Sequence, residues 1–210
     1  MAQRRHHYER AFETYLRANR TPYVAVDEAR RALLPPRARL AYDDIHGEHQ
    51  ALKSFDFLIY TSTTNFILDV KGRKLAKTSS RPTTPRLDSW VTREDVESLS
   101  IWGELFGEGF TPGFVFVYWC HDMPSSSLFE EIFEHEGRWY ALRAVTLERY
   151  ASAMKTRSPR WGTVHVPSSL FERISTPLAG TWSGSLSPRE AYTPVSHGDR
   201  ASQAQPLALP

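Results

Sequence analysis

A mixed α/β fold, with helices packed on a central sheet, is what this sequence predicts, and three observations predict it. Apolar residues recur at helical spacing from His7 to Leu16 and again from Val96 to Phe106. Between those stretches, Phe55 to Tyr60 and Asn65 to Lys71 are two strand-length runs joined only by Thr61-Ser62-Thr63-Thr64. After the second helical stretch, Phe114 to Trp119 is a near-continuous apolar run of the kind buried on both faces of a sheet. Alternating elements of these two periods assemble as layers around one core.

The elements follow in chain order. Tyr8, Ala11, Phe12, Tyr15 and Leu16 define the first helix, which Pro22 stops. Tyr23 to Val26 reads as a short strand, and residues 27–53 as a short helix, a Pro-Pro break and a polar loop. The two strands at 55–60 and 65–71 are close enough to form an antiparallel hairpin. Residues 71–86 lack periodicity and read as an exposed loop. Thr92 and Asp95 are spaced to cap the second helix, which carries Val96, Leu99, Trp102, Leu105 and Phe106 and ends at Gly107. Residues 128–147 read as two strands about a turn at His135 to Gly137.

The chain has 210 residues, 40% of them hydrophobic, enough for one ordinary domain. That domain is expected over 1–175, with 176–210, rich in Pro, Ser, Gly and Ala, as a disordered tail. The single cysteine, Cys120, excludes an internal disulfide framework, and following a buried strand it reads as an inert thiol. The basic opening leads into a helical pattern and no apolar run reaches bilayer length, so a cytoplasmic protein without a membrane role is expected. A net charge of +2 neither requires nor excludes a nucleic-acid partner.

The hairpin raises the chemical question, because Asp56 and Asp69 interrupt its apolar runs. A symmetric four-residue loop pairs Tyr60 with Asn65 and, further down the ladder, Asp56 with Asp69. Directly opposed residues share a face, with Cβ atoms roughly 4.5–5.5 Å apart. Alternation puts Lys71 on that face as well. Two carboxylates flanked by Phe55, Phe57, Leu58, Ile67 and Leu68 repel unless partnered. A hard divalent cation such as Mg²⁺ resolves the conflict, and a neighbouring ammonium can orient an attacking water or stabilise charge on a phosphoryl group.

Asp56, then Asp69-Val70-Lys71, on a hairpin preceded by a helix bearing Glu9, resembles the PD-(D/E)XK nuclease pattern. His7 to Glu13, "HYERAFE", matches the signature that names the HYExAFE family, and Glu9, Phe12 and Leu16 before a strand resemble the opening helix of archaeal Holliday-junction resolvases. The nuclease resemblance covers about residues 7–120. It implies a restriction-endonuclease-like mixed central sheet flanked by helices, an αβββαβ core with extra C-terminal strands. It further implies that Asp56, Asp69 and the Val70 carbonyl bind Mg²⁺ or Mn²⁺, that Lys71 positions the nucleophile, and that Glu9 completes the site. Glu13, one turn on, competes with Glu9 for that role. The sequence departs from the pattern at Phe55, where the motif has proline, and at Asp69, where glutamate is commoner.

The activity expected is metal-dependent hydrolysis of nucleic-acid phosphodiesters, with DNA favoured, in repair, recombination or defence. The alternative is a nuclease-fold binding module without hydrolysis inside a larger assembly, and a third reading keeps the fold with another substrate. Lys71, Arg73, Lys74, Lys77, Arg81 and Arg86 follow one another with no acid until Asp88, a run that either neutralises a phosphodiester backbone or is a solvated loop. Arg157, Arg160 and Trp161 in "KTRSPRWG" combine cations with an aromatic that either stacks on an unpaired base or packs a strand end. His46 and His49 in "DDIHGEH" match no metal-site spacing and read as a polar loop. Trp90, Trp102, Trp119 and Trp139 are expected in the core. Cutting both strands of a duplex or a branch usually requires two sites, hence a homodimer.

Overall fold

A computed structural model describes residues 6–26, 41–43, 49–62, 64–75, 86–124 and 129–178. Helix α1 (His6–Ala18) buries Ala11, Phe12 and Leu16 completely. It ends in a Schellman-type turn: Arg20 takes φ 53°, its N–H donates to the Arg17 carbonyl at 3.0 Å, and Thr21 N–H donates to Leu16 at 3.0 Å. Pro22 follows, and β1 (Tyr23–Ala25) begins.

Residues 41–51 contain a small hairpin, β2 (Ala41–Asp43) with β3 (His49–Ala51), where a loop was expected. Strands β4 (Phe57–Tyr60) and β5 (Asn65–Lys74) pair antiparallel from Tyr60↔Asn65 to Phe57↔Leu68, the register a symmetric four-residue loop predicts. Strand β6 (Val91–Thr92) runs into α2 (Arg93–Phe106), capped by Thr92 and ended at Gly107 as its sequence requires. Strand β7 (Phe110–Cys120) lies parallel to β5, with α2 in the crossover between them.

Strands β8 (Ile132–His135) and β9 (Arg138–Thr146) form a hairpin whose two-residue turn puts Glu136 and Gly137 at φ 50° and 70°. Such a turn matches the strands' own twist, and glycine meets its demand for positive φ without strain. The chain continues through α3 (Leu147–Ala153), β10 (Lys155–Ser158), β11 (Thr163–His165) and α4 (Ser168–Ile174).

The main sheet has the order β1-β4-β5-β7-β9-β8, antiparallel throughout except for β5 with β7, and a second sheet runs β10-β11-β6. Helix α1, strands β1, β4 and β5, helix α2 and strand β7 supply the αβββαβ order, and β9 and β8 extend the sheet. Phe12 and Leu16 pack with Phe57, Ile59, Phe66, Leu68 and Val70 on one face. Ile67, Phe114, Phe116 and Tyr118 pack with Val96 and Leu99 of α2, Tyr150 of α3 and Phe171 of α4 on the other.

Two boundaries differ from expectation. Strand β5 continues to Lys74, beyond the predicted end at Lys71, because β7 keeps offering partners from Lys71↔Phe116 to Lys74↔Trp119. Thr176, the first residue of the expected tail, bridges to Ala144, and Leu178 is buried with its N–H donating to Glu131. Residues 179–210 lie outside the described residues, as do His46, Lys77 and Arg81.

Candidate active site

Below Phe57↔Leu68 the β4–β5 ladder loses its regular register. Asp56 N–H donates to the Leu68 carbonyl at 2.9 Å, and its carboxylate turns to accept the Val70 N–H at 2.7 Å. The Asp69 carboxyl lies close enough for its charge to act on it. Burial, then the Asp69 charge, holds the Asp56 pKa well above the usual carboxylate range, and the Glu9 charge raises it further. Burial raises Asp69 as well, against the pull of Lys71. The pair therefore favours a shared proton over two negative charges.

Lys71 stands beside this pair on the same face of β5. Its Nζ is 2.6 Å from Asp69 and 3.0 Å from Asp95. Burial opposes its charge, yet the two carboxylates outweigh that and raise its pKa, so Lys71 stays an ammonium. Asp95 joins the second helix to the site. In the capping box Asp95 N–H donates to Thr92 Oγ1 at 3.1 Å, and Asp95 Oδ2 accepts the Thr92 N–H at 2.9 Å. That oxygen faces Lys71, and Oδ1 meets Lys53 Nζ at 2.5 Å. Although burial works in the other direction, Lys71, Lys53 and the cap hold the Asp95 carboxyl far below its ordinary range.

Phe55 and Lys53 dock the strand entry onto α2. Phe55, at the position of the motif's proline, is buried edge-on against Trp102, with centroids 5.1 Å apart, and against Phe106 at 5.8 Å. Trp102 Nε1 donates to the Lys53 carbonyl at 2.8 Å. Lys53, Phe55, Asp69, Asp95, Ser98 and Trp102 line a small cleft there.

Helix α1 approaches β5 from the opposite face, and the letters of its signature have separate physical roles. His7 Nδ1 is 2.9 Å from Tyr140 Oη. Tyr8 packs against Gly72, where an added Cβ would come within 2.1 Å of its Cδ2. Glu9 is near enough for its charge to act on Asp56. Glu13 is engaged elsewhere, 2.7 Å from Tyr23 Oη and 2.6 Å from Arg17.

The residues expected to bind nucleic acid fall into three groups. Arg73 points inward: its guanidinium lies 4.0 Å from the Trp90 ring centre and donates to the Trp90 and Gly72 carbonyls, while its Nε is enclosed without a partner among the described residues. This corrects the expectation of an exposed loop cation, because alternation on the longer β5 turns Arg73 to the α2 face. Lys74 is exposed, 4.8 Å over Trp119. Arg157 and Arg160 are exposed beside Trp90 and Trp161, and Trp161 is 71% exposed. Cys120 is buried, which pushes its thiol up to about 11.

Asp95 and Lys53 are what sequence reasoning missed. Asp95 carried a visible signal, the capping spacing from Thr92, but its reach to Lys71 depends on the β5–β7 crossover. Among the described residues no group of three or more His, Cys, Asp and Glu side chains is arranged to hold a metal, and no helix is long and apolar enough to cross a membrane. The two carboxylates and a carbonyl are nonetheless all-oxygen donors, suited to a hard cation that keeps several waters.

No family model matches the chain, and no curated protein matches it. Among solved structures it is similar to Hjc, a Holliday junction resolvase from the archaeal hyperthermophile Archaeoglobus fulgidus, with a TM-score of 0.44 and 11% identity. That match covers 83% of this chain and 92% of Hjc, and a likeness so slight assigns neither fold nor activity.

Proposed function

We propose that this protein is a metal-dependent nuclease that hydrolyses phosphodiester bonds, with DNA as the favoured substrate. The observation that carries the reading is the pairing of half-buried Asp56 with buried Asp69, with the Lys71 ammonium 2.6 Å from Asp69. Buried acids that share a proton represent an unfavourable arrangement that a divalent cation relieves.

Asp56, Asp69 and the Val70 carbonyl would hold Mg²⁺ or Mn²⁺, and Glu9 would complete the site through water. The bound cation supplies positive charge to the scissile phosphate and lowers the pKa of a coordinated water. Lys71, tethered by Asp95 as well as by Asp69, would keep its charge beside the phosphoryl oxygens. The capping box fixes Asp95 in turn.

A second reading, a scaffold that binds without cutting, draws on the Lys71–Asp69 pair itself, which neutralises one carboxylate with no metal. Labelled single-stranded, duplex, flap and junction DNA, and RNA, incubated with Mg²⁺, Mn²⁺ or EDTA, separate the two. The nuclease reading expects cleavage that EDTA, Lys71→Ala and Asp69→Asn each abolish. Binding without cleavage under either metal supports the scaffold, and a metal-dependent activity that survives both substitutions removes this site from the chemistry.

A further inference from the structure

The β10–β11 hairpin carries the most exposed large apolar side chain among the described residues, Trp161, at its turn. Burying an indole elsewhere on the molecule would remove a large apolar surface from water, so its exposure here calls for an explanation. The chain around it is basic: from Arg149 to Phe171 there is no acid. Arg160 lies 5.5 Å from the Trp161 ring centre. Arg157 is the extra residue where the pairing shifts between Thr156↔Val164 and Ser158↔Thr163, and its guanidinium sits 5.3 Å over Trp90. A bulge of this kind re-aims a side chain that regular pairing would direct elsewhere.

Two links join this hairpin to the candidate active site. Strand β11 pairs with β6 through Thr163↔Thr92, and Arg93 N–H donates to the Gly162 carbonyl at 2.7 Å. Trp161 is thus one residue from a direct bond to the start of α2, whose Thr92 caps the Asp95 that contacts Lys71. The second link is Trp90, with Arg157 against it and Arg73, two residues beyond Lys71, 4.0 Å from its ring.

We infer that Trp161 is a stacking platform for an unpaired nucleobase beside the scissile phosphodiester, with Arg157 and Arg160 on the flanking phosphates. The substrate class is therefore a polynucleotide that is single-stranded or frayed near the cut. The inference rests on the nuclease reading for the position of the cut, whereas stacking itself is independent of hydrolysis. The charge complements a phosphate backbone, and an indole face accepts any base.

The test is binding of a fluorescent oligothymidylate and of a blunt fully paired hairpin, both in EDTA and over a range of salt. Wild type is compared with Trp161→Ala, Trp161→Tyr and the double variant Arg157→Gln with Arg160→Gln. The expected result is a loss of about tenfold or more for Trp161→Ala on the unpaired strand, little change on the blunt hairpin, and recovery by Trp161→Tyr. The double arginine variant flattens the salt dependence on both probes. Equal affinity of wild type and Trp161→Ala for the unpaired strand, or no polynucleotide binding at all, overturns the inference. Trp161-dependent binding without cleavage under any metal overturns the nuclease reading and leaves stacking standing.

Discussion

The Lys71 ammonium lies 3.0 Å from the Asp95 carboxylate, so the first turn of α2 is tied directly to the β5 site. Asp95 meanwhile completes the helix cap with Thr92. Capping and tethering are separable by substitution. Asp95→Asn keeps an oxygen for the Thr92 N–H but removes the charge that holds Lys71, and under the nuclease reading a loss of about tenfold or more in kcat is expected together with a fall in thermal midpoint, since a buried, doubly ion-paired carboxylate is neutralised. Thr92→Ala removes the cap hydroxyl, costs about 1 kcal/mol in stability, and leaves kcat closer to wild type. Thermal melts beside single-turnover cleavage check both arms, and an Asp95→Asn enzyme of normal kcat removes Asp95 from the positioning of Lys71.

Asp56 sets up an opposition between stability and activity. Its folded pKa is raised, so the folded state binds more protons than the unfolded chain across the interval above the ordinary carboxylate range. Stability from this group is present at acid pH and is lost as pH rises through the folded pKa. Asp56→Asn removes that penalty: melting at neutral pH should rise by a few degrees, with a shallower pH slope, while cleavage is lost. Mg²⁺ should raise the midpoint of wild type and leave that of Asp56→Asn nearly unmoved.

The contact of Tyr8 with Gly72 is tight enough to be scored by a double-mutant cycle. Gly72→Ala drives a methyl into the Tyr8 ring and should destabilise by roughly 1–3 kcal/mol. In a Tyr8→Ala background the same methyl has room, so most of its cost should vanish. Denaturant midpoints of the four proteins test this, and simple additivity would mean that the helix and strand do not meet here.

Arg73 should behave as a core cation and not as a phosphate contact. Arg73→Gln forfeits the stack on Trp90 and the bonds to the Trp90 and Gly72 carbonyls, a cost of about 1–3 kcal/mol. The salt slope of polynucleotide binding should stay at the wild-type value, since no released counterion depends on this residue. A reduced slope at unchanged stability would return Arg73 to the binding surface.

Local chemistry was enough for the parts of the fold that neighbouring residues specify. Helix α1 could be read from Tyr8 to Leu16 because a 3.6-residue apolar period has one stable outcome, and α2 was bracketed by Thr92 and Gly107 because capping acts over a single turn. The β4–β5 register from Tyr60↔Asn65 to Phe57↔Leu68 followed from a four-residue loop, but its expected extension to Asp56 opposite Asp69 did not, since Asp56 N–H bonds the Leu68 carbonyl; the shared face of Asp69 and Lys71 followed from alternation along β5. The β2–β3 hairpin escaped because its strands are three residues each, too short for an alternating pattern to stand out.

By itself, then, the sequence determined helices α1 and α2, the β4–β5 and β8–β9 hairpins and the buried strand β7, with the chemical groups that Asp56, Asp69 and Lys71 bring to the first hairpin. Only the tertiary structure decided what those groups face. The parallel pairing of β5 with β7 extended the strand to Lys74, turned Arg73 onto Trp90, and swung α2 across so that Asp95 reaches Lys71. That pairing joins segments separated by a long crossover, and no local period or cap encodes its register. The same holds for β11 on β6, which sets Trp161 near the site through hydrogen bonds between backbones whose side chains carry no signal of the partner.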